Sequence, residues 1–174
     1  MEHFTTGRLI VRDWAADDAE AALGIYGREE VTKWLGAPPM RPVTSLAAMR
    51  EMVGRMIARS ADRPDYGLWP AVRRDDGALV GAILLAPVPG GDGGIEIGWH
   101  FSPDYWGNGY ATEAARGVIG LAFADRGLDR VIAVVYPDNA PSLALCRRLG
   151  MTHDGRTDQY YGVWLELFSL IRPE

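Results

Sequence analysis

Residues 8–14 alternate apolar and polar side chains well enough to predict a first strand. Asp17 or Asp18 then starts a short helix through Tyr26, with Ala22, Leu23, Ile25 and Tyr26 as its apolar side. Pro38-Pro39 breaks the chain. Thr44 or Ser45 caps a longer helix, in which Leu46, Met49, Val53, Met56 and Ile57 recur at helical spacing as one apolar stripe. Its methionines, Met49, Met52 and Met56, read as core filling rather than as a binding groove.

Tyr66 to Val72 reads as a strand, and Asp76-Gly77 turns it into a second run from Leu79 to Ala86, which predicts a hairpin. Residues 90–94 read as a loose loop, and Ile95 to Phe101 as the next strand. After a glycine turn, Ala115, Val118, Ile119, Ala122 and Phe123 share one helical face, and Gly127 ends that helix. The almost wholly apolar run from Val131 to Tyr136 predicts a strand covered on both faces. Asn139 caps a further helix with Pro141 in its first turn, Gly150 closes it, and Val163 to Ile171 is a last strand. The order is mixed α/β, with hairpins early and a strand–helix–strand–helix–strand unit late.

At 174 residues the chain fits one domain spanning residues 1–174. No apolar run approaches the roughly 18 residues that a membrane span requires, and the N-terminal residues have neither the basic start nor the apolar core of a signal peptide. With Cys146 the only cysteine, an internal disulfide is ruled out, which suits a cytoplasmic location. The net charge of -5, without long runs of either sign, argues against nucleic-acid binding and reads either as steering toward a cationic substrate or as solubility alone.

The stretch Tyr105-Trp106-Gly107-Asn108-Gly109-Tyr110-Ala111-Thr112 lies between a strand and a helix. Glycines let the backbone approach a ligand closely, and the helix start adds free N–H groups and the positive end of its dipole. Such a turn is an anion pocket, most naturally for a pyrophosphate. A dinucleotide fingerprint is the rival reading. That motif follows the first strand of its unit and needs an acid after the second. Here the turn comes late, and Asp129 precedes the next strand instead of ending it.

Together with Asn139, Ser142 and Arg148-Leu149-Gly150-Met151, this turn resembles the GNAT superfamily of acetyl-CoA-dependent N-acetyltransferases. The opening Thr6-Gly7-Arg8-Leu9-Ile10-Val11-Arg12-Asp13-Trp14 is similar to the branch that includes the ribosomal-protein N-terminal alanine acetyltransferases, as is Glu96-Ile97-Gly98-Trp99-His100-Phe101. The resemblance implies a GNAT-like fold: a twisted, mostly antiparallel central sheet, splayed at the cofactor site and flanked by helices. It implies acetyl-CoA as co-substrate, with Trp106 in the turn and backbone amides of Gly107, Asn108, Gly109, Tyr110, Ala111 and Thr112 around the pyrophosphate. The backbone of Trp99, His100 and Phe101 would pair with the pantetheine arm like an added strand. Asn139 and Ser142 would contact the cofactor from the far side of the split, although Asn139 also reads as a plain helix cap.

Acetyl transfer to an amine requires the amine to lose its proton, the thioester oxygen to be stabilised as it gains charge, and the thiolate to leave. Glu96, flanked by Ile95 and Ile97, is the candidate base, since partial burial would raise its pKa. His100 shares its strand face and suggests a relay through water. Many GNAT enzymes carry a tyrosine on the last helix as acid to the thiolate. The matching position here is Cys146, which reads either as that acid or as inert packing. Trp34, Trp69, Tyr160 and Tyr161 are candidates for walling the acceptor pocket and covering a cationic amine. His3 and His153 do not form metal-ligand spacing with His100, so no metal site is expected. The implied activity is transfer of acetyl to a primary amine (a protein N-terminus, an aminoglycoside, a polyamine or a metabolite) by direct attack in a ternary complex. The alternative is a non-catalytic acyl-CoA-binding sensor. A homodimer is compatible with this branch.

Overall fold

The computed structural model describes residues 1–89 and 93–173, so most of the expected loop over residues 90–94 lies outside the described residues. In chain order the elements are β1 (Glu2–Thr5), β2 (Leu9–Arg12), α1 (Ala19–Tyr26), α2 (Glu29–Thr32), α3 (Leu46–Asp62), β3 (Gly67–Arg73), β4 (Leu79–Pro87), β5 (Ile95–Phe101), α4 (Tyr110–Gly120), β6 (Arg130–Val135), α5 (Ala140–Arg148), β7 (Thr152–Thr157) and β8 (Leu165–Ile171). The strands form one sheet in the order β1-β2-β3-β4-β5-β6-β8-β7. Every neighbouring pair is antiparallel except β5 and β6, which run parallel and are joined through α4. This is the mixed, mostly antiparallel sheet with flanking helices that the resemblance implies.

Each face of the sheet buries its own apolar set. On one face Leu9, Val11, Trp69, Val80, Ile83 and Ile97 meet Ala114, Ala115 and Val118 of α4 and Cys146 of α5. On the other, Trp14, Val72, Leu79 and Ala82 meet Ile25 and Tyr26 of α1 and Met49, Val53 and Met56 of α3. The α3 stripe is therefore core, as its period indicates, and Ser45 caps the helix by accepting the Ala48 amide at 3.2 Å. β6 is buried from Val131 to Ala133, in keeping with its unbroken apolar run. The edge strands β1 and β7 and the one-turn helix α2 are additions to the sequence reading. β7 is Thr-His-Asp-Gly-Arg-Thr, largely exposed. An edge strand with no covering layer carries no alternation to read.

β5 is fastened unequally along its two edges. Against β4 it pairs over its whole length in unbroken register, from Pro87↔Ile95 to Gly81↔Phe101. Against β6 it pairs only at Glu96↔Ile132. The Ser102 amide donates to the Val80 carbonyl at 3.0 Å and the Val88 amide to the Gly94 carbonyl at 2.9 Å. Ladder alternation between those two bonds turns the main-chain groups of Glu96, Gly98 and His100 toward β4, and those of Ile97, Trp99 and Phe101 toward β6. Beyond the Glu96↔Ile132 bridge, β6 does not meet those of Trp99 and Phe101, and the sheet opens.

β4 holds that edge in place through Gly81. A Cβ there would lie 2.4 Å from the Phe101 ring and 2.8 Å from the His100 carbonyl oxygen. We expect Gly81→Ala to cost about 1–3 kcal/mol of stability by pushing β5 off β4, measured as a lower urea midpoint with an unchanged slope.

Candidate active site

The opening between β5 and β6 is a cleft of about 1290 Å³. One end is walled by the glycine turn and α4, the middle by Trp99, Ser142 and Leu145, and the other end by Glu30, Trp34, Tyr136 and Tyr161. Gly107 and Gly109 both have left-handed backbones, with φ of 80° and 79°. Gly109 is the N-cap of α4, so the amides of Tyr110, Ala111 and Thr112 have no acceptor within the helix. A Cβ on Gly107 would meet nothing within 4 Å. The loop thus stands open on the cleft, with donors and the positive end of the α4 dipole behind it. That is the chemistry a diphosphate requires.

The loop is braced from a distant part of the chain. Glu113, in the first turn of α4, accepts from the Thr6 hydroxyl at 2.6 Å, the Arg8 amide at 2.8 Å and Arg8 Nε at 2.7 Å. Arg8 also donates to the Asn108 carbonyl at 3.0 Å and lies over the Tyr110 ring at 4.6 Å. Sequence reasoning places Thr6 and Arg8 in a family-like opening but assigns them no role. The only local signal was the motif itself, because the partners lie more than a hundred positions apart.

In the middle of the cleft, the indole N–H of Trp99 donates to the Ser142 hydroxyl at 3.2 Å. Asn139 accepts the Ser142 amide at 3.3 Å, so it caps α5 while lining the cleft. The Trp106 indole N–H donates to the Phe101 carbonyl at 2.8 Å. The main-chain groups of Trp99 and the Phe101 amide therefore remain on the cleft side of β5. His100 departs from the expectation for pantetheine pairing, because alternation turns its main chain to β4.

At the other end of the cleft, Glu96 is 8% exposed, and its Oε2 accepts from the Tyr161 hydroxyl at 2.6 Å. Burial pushes the Glu96 carboxyl up to about 7, and the Tyr161 hydrogen bond acts in the opposite direction. Four residues along the same strand face, His100 Nδ1 lies 3.1 Å from the Tyr26 hydroxyl, and burial lowers His100 to about 4. A neutral imidazole with so low a pKa is a poor base near neutrality, which removes the expected relay. Trp34 and Tyr136 form a tilted pair at 6.2 Å on the far wall, and the Tyr136 hydroxyl donates to the Gly36 carbonyl at 2.6 Å.

Three further expectations are corrected. Cys146 is fully buried in the main core, does not line the cleft, and is pushed up to about 12 by burial; it is packing. Trp69 is fully buried on the α4 face and stacks on His3 at 4.1 Å, because its position in β3 points into that core. Tyr160 is buried with Val88 and Ile132 in a small separate cluster and does not line the cleft, while the next residue, Tyr161, packs against the same cluster and lines the cleft as well.

The family model described as "Acetyltransferase (GNAT) domain" matches residues 8–152. The chain is 31% identical over 156 residues to the uncharacterized N-acetyltransferase YoaA of Bacillus subtilis, covering 89% of this chain and 85% of that one. Its fold superposes on a GNAT-family acetyltransferase from Bacillus anthracis with a TM-score of 0.79 at 25% identity, covering 98% of each chain. A ribosomal-protein-S5-alanine acetyltransferase from Vibrio fischeri gives 0.73 at 17% identity over 98% of this chain and 96% of that one, a likeness of fold.

The buried carboxyl makes a direct prediction for stability. Its folded pKa lies above the ordinary value of 4.5, so its favourable contribution is complete below about pH 4.5 and is lost as pH rises through 7. Glu96→Gln should therefore melt close to the parent at pH 5. By pH 8 it should be the more stable of the two, by up to about 3 kcal/mol, as read by denaturant titration at each pH.

Proposed function

The chain belongs to the GNAT acetyltransferases, and from that premise we propose that it moves the acetyl group of acetyl-CoA onto a primary amine, by direct attack in a ternary complex. The observation that carries this reading is the single pairing of β5 with β6 at Glu96↔Ile132. Beyond it, one cleft has a donor-rich helix start at one end and a buried carboxylate at the other.

The diphosphate of acetyl-CoA sits at the Gly107–Gly109 turn, under the amides that open α4. Its pantetheine arm runs along β5 and pairs with the exposed main chain of Trp99, in the position β6 would occupy in a closed sheet. The acceptor enters from the side of α1 and α2, past Trp34 and Tyr136. Their faces and the nearby Glu30 suit an ammonium. Glu96 takes the ammonium proton, the freed nitrogen lone pair attacks the thioester carbon, and a β5 main-chain amide receives the developing oxyanion. The C–S bond breaks, and the proton still carried by the new amide nitrogen passes to the departing thiolate, so that a thiol and a neutral amide result. No dedicated acid is required, since a thiolate is a tolerable leaving group. Both a protein N-terminus and a small amine such as a polyamine or aminoglycoside fit this site chemistry.

Two experiments test the assignment. Coenzyme A at millimolar concentration should raise the melting temperature of the parent, because it binds only the folded state. Gly109→Val, which forces a β-branched residue into a left-handed cap facing Arg8, should weaken coenzyme A binding about tenfold or more; an unshifted parent melt removes the cofactor assignment. With acetyl-CoA and an amine panel, kcat/KM should rise with pH through about 7 and then level, since the carboxylate is the active form. Glu96→Gln should lower the plateau by about 10²–10⁴ and flatten this limb.

A further inference from the structure

Tyr161 is the one non-glycine residue with a left-handed backbone among the described residues, at φ 58°, and Gly162 follows it at φ 69°. Two such residues in succession make a sharp turn in the connection between β7 and β8. That turn carries the phenol back across β8 and β6 to β5, where its hydroxyl reaches Glu96 Oε2 at 2.6 Å. A tyrosine is strained in this conformation, and such strain persists only where the surroundings fix it. The second carboxylate oxygen, Oε1, has no hydrogen-bond partner among the described residues, and Glu96 lines the cleft.

We propose that Tyr161 is a positioning residue for the acceptor-side base: its hydroxyl pins one oxygen of Glu96 so that Oε1 is the atom presented to the incoming amine. This rests on Glu96 being the base, as in the reading above. The strand partners contribute nothing ionisable at this point, since Glu96 lies opposite Ala86 of β4 and Ile132 of β6. The other ionisable groups around the cleft are Arg8, Glu30 of α2, His100 of β5, Tyr105, Glu113 and Arg116 of α4, Tyr136 after β6 and Arg148 of α5. Among the described residues only Tyr161 bonds the Glu96 carboxyl directly, and it and burial are the two influences on the carboxyl's pKa. A phenol that donates to a carboxylate favours the charged form, so Tyr161 opposes the effect of burial and keeps the base ionised near neutrality. In the step itself Oε1 takes the ammonium proton, the nitrogen lone pair is released for attack, and Tyr161 keeps its own proton throughout.

The role also accounts for the corrected neighbours. Tyr160 is buried with Val88 and Ile132, and Tyr161 packs against the same cluster, which anchors the connection that carries the phenol. The acceptor wall and the base are thereby one unit: the side chain that lines the pocket also sets the carboxylate's orientation.

The test is the pH dependence of Tyr161→Phe, which keeps the ring and removes the donor. In the parent the acid limb of kcat/KM for the amine lies near pH 7; in Tyr161→Phe it should move up by about one unit or more, with the KM for acetyl-CoA unchanged. Tyr161→Asn, which tolerates the left-handed backbone better than an aromatic residue, should show the same shift and serves if the Phe variant melts early. Placed on a Glu96→Gln background, Tyr161→Phe should have no further effect, because its action passes through the carboxylate. A limb that stays in place in both variants overturns the proposal. So does a Tyr161→Phe loss that persists in full on the Glu96→Gln background, which would mean that the phenol acts on the acceptor itself. If Glu96→Gln alone matches the parent at every pH, the assignment of the base fails, and the positioning role fails with it.

Discussion

The whole site depends on one main-chain fact: β5 is held by β4 along its full length and by β6 at a single pair, Glu96↔Ile132. A buried strand edge with unpaired amides and carbonyls is unstable unless something satisfies it. Here the Trp106 indole takes the Phe101 carbonyl, and the main chain of Trp99 is left for an extended ligand. The same splay exposes the start of α4 and the flank of α5 to one cleft, so a single departure from regular pairing brings both to a common space. The parallel β5–α4–β6 crossover is what permits it, since α4 fills the face beneath the gap with Ala114, Ala115 and Val118.

The two ends of the cleft use opposite electrostatic strategies. At the anion end the structure supplies donors and a helix dipole, and it locks their geometry with a carboxylate from within the helix. Glu113 is held by Thr6 and Arg8, and through Arg8 it fixes the Asn108 carbonyl on the turn. An acid beside an anion site is unfavourable unless it is neutralised, and Arg8 does this while its guanidinium lies over Tyr110. At the acceptor end the structure does the reverse. It removes water from a carboxyl, which raises its proton affinity to about 7 against the opposing hydrogen bond from Tyr161, its single neutral donor.

Most of this fold is legible in the sequence because its central elements are covered. The unbroken apolar run of β6, the α3 stripe and the Asp76-Gly77 hairpin all record burial on known faces. β7 is not legible, because it faces water along most of its length and keeps no period; β1 is only four residues long and its neighbouring His3 and Phe4 are both half-buried, so it shows no alternation either. For the site, the Gly107–Gly109 turn and the Asn139 cap are local and can be read directly. Glu96 stands out as a charge in an apolar strand. Tyr160 and Tyr161 cannot be told apart in sequence; only the left-handed turn at Tyr161 decides which of them reaches the cleft. Trp69 misleads for the complementary reason: aromatic residues fill cores and pockets alike, and only the register of β3 assigns it to the core. Likewise, Arg8 and Glu113 are united by folding across the length of the sheet.

Burial alone, applied at three titratable positions, then separates their roles. Cys146 is enclosed by apolar neighbours with no cleft contact, so its thiol is raised far above the working range and has no route to substrate. His100 has a cleft face, but its buried partner is the Tyr26 hydroxyl and not a carboxylate, so desolvation drives it to the neutral form. Glu96 also has a cleft face, and desolvation shifts an acid in the useful direction, upward from its ordinary value toward 7. The same physical cause thus weakens the histidine as a base and, in the proposed reaction, suits the carboxylate to that role. The difference lies in which protonation state carries the charge: for an imidazole burial removes the proton, and for a carboxyl it strengthens the hold on it.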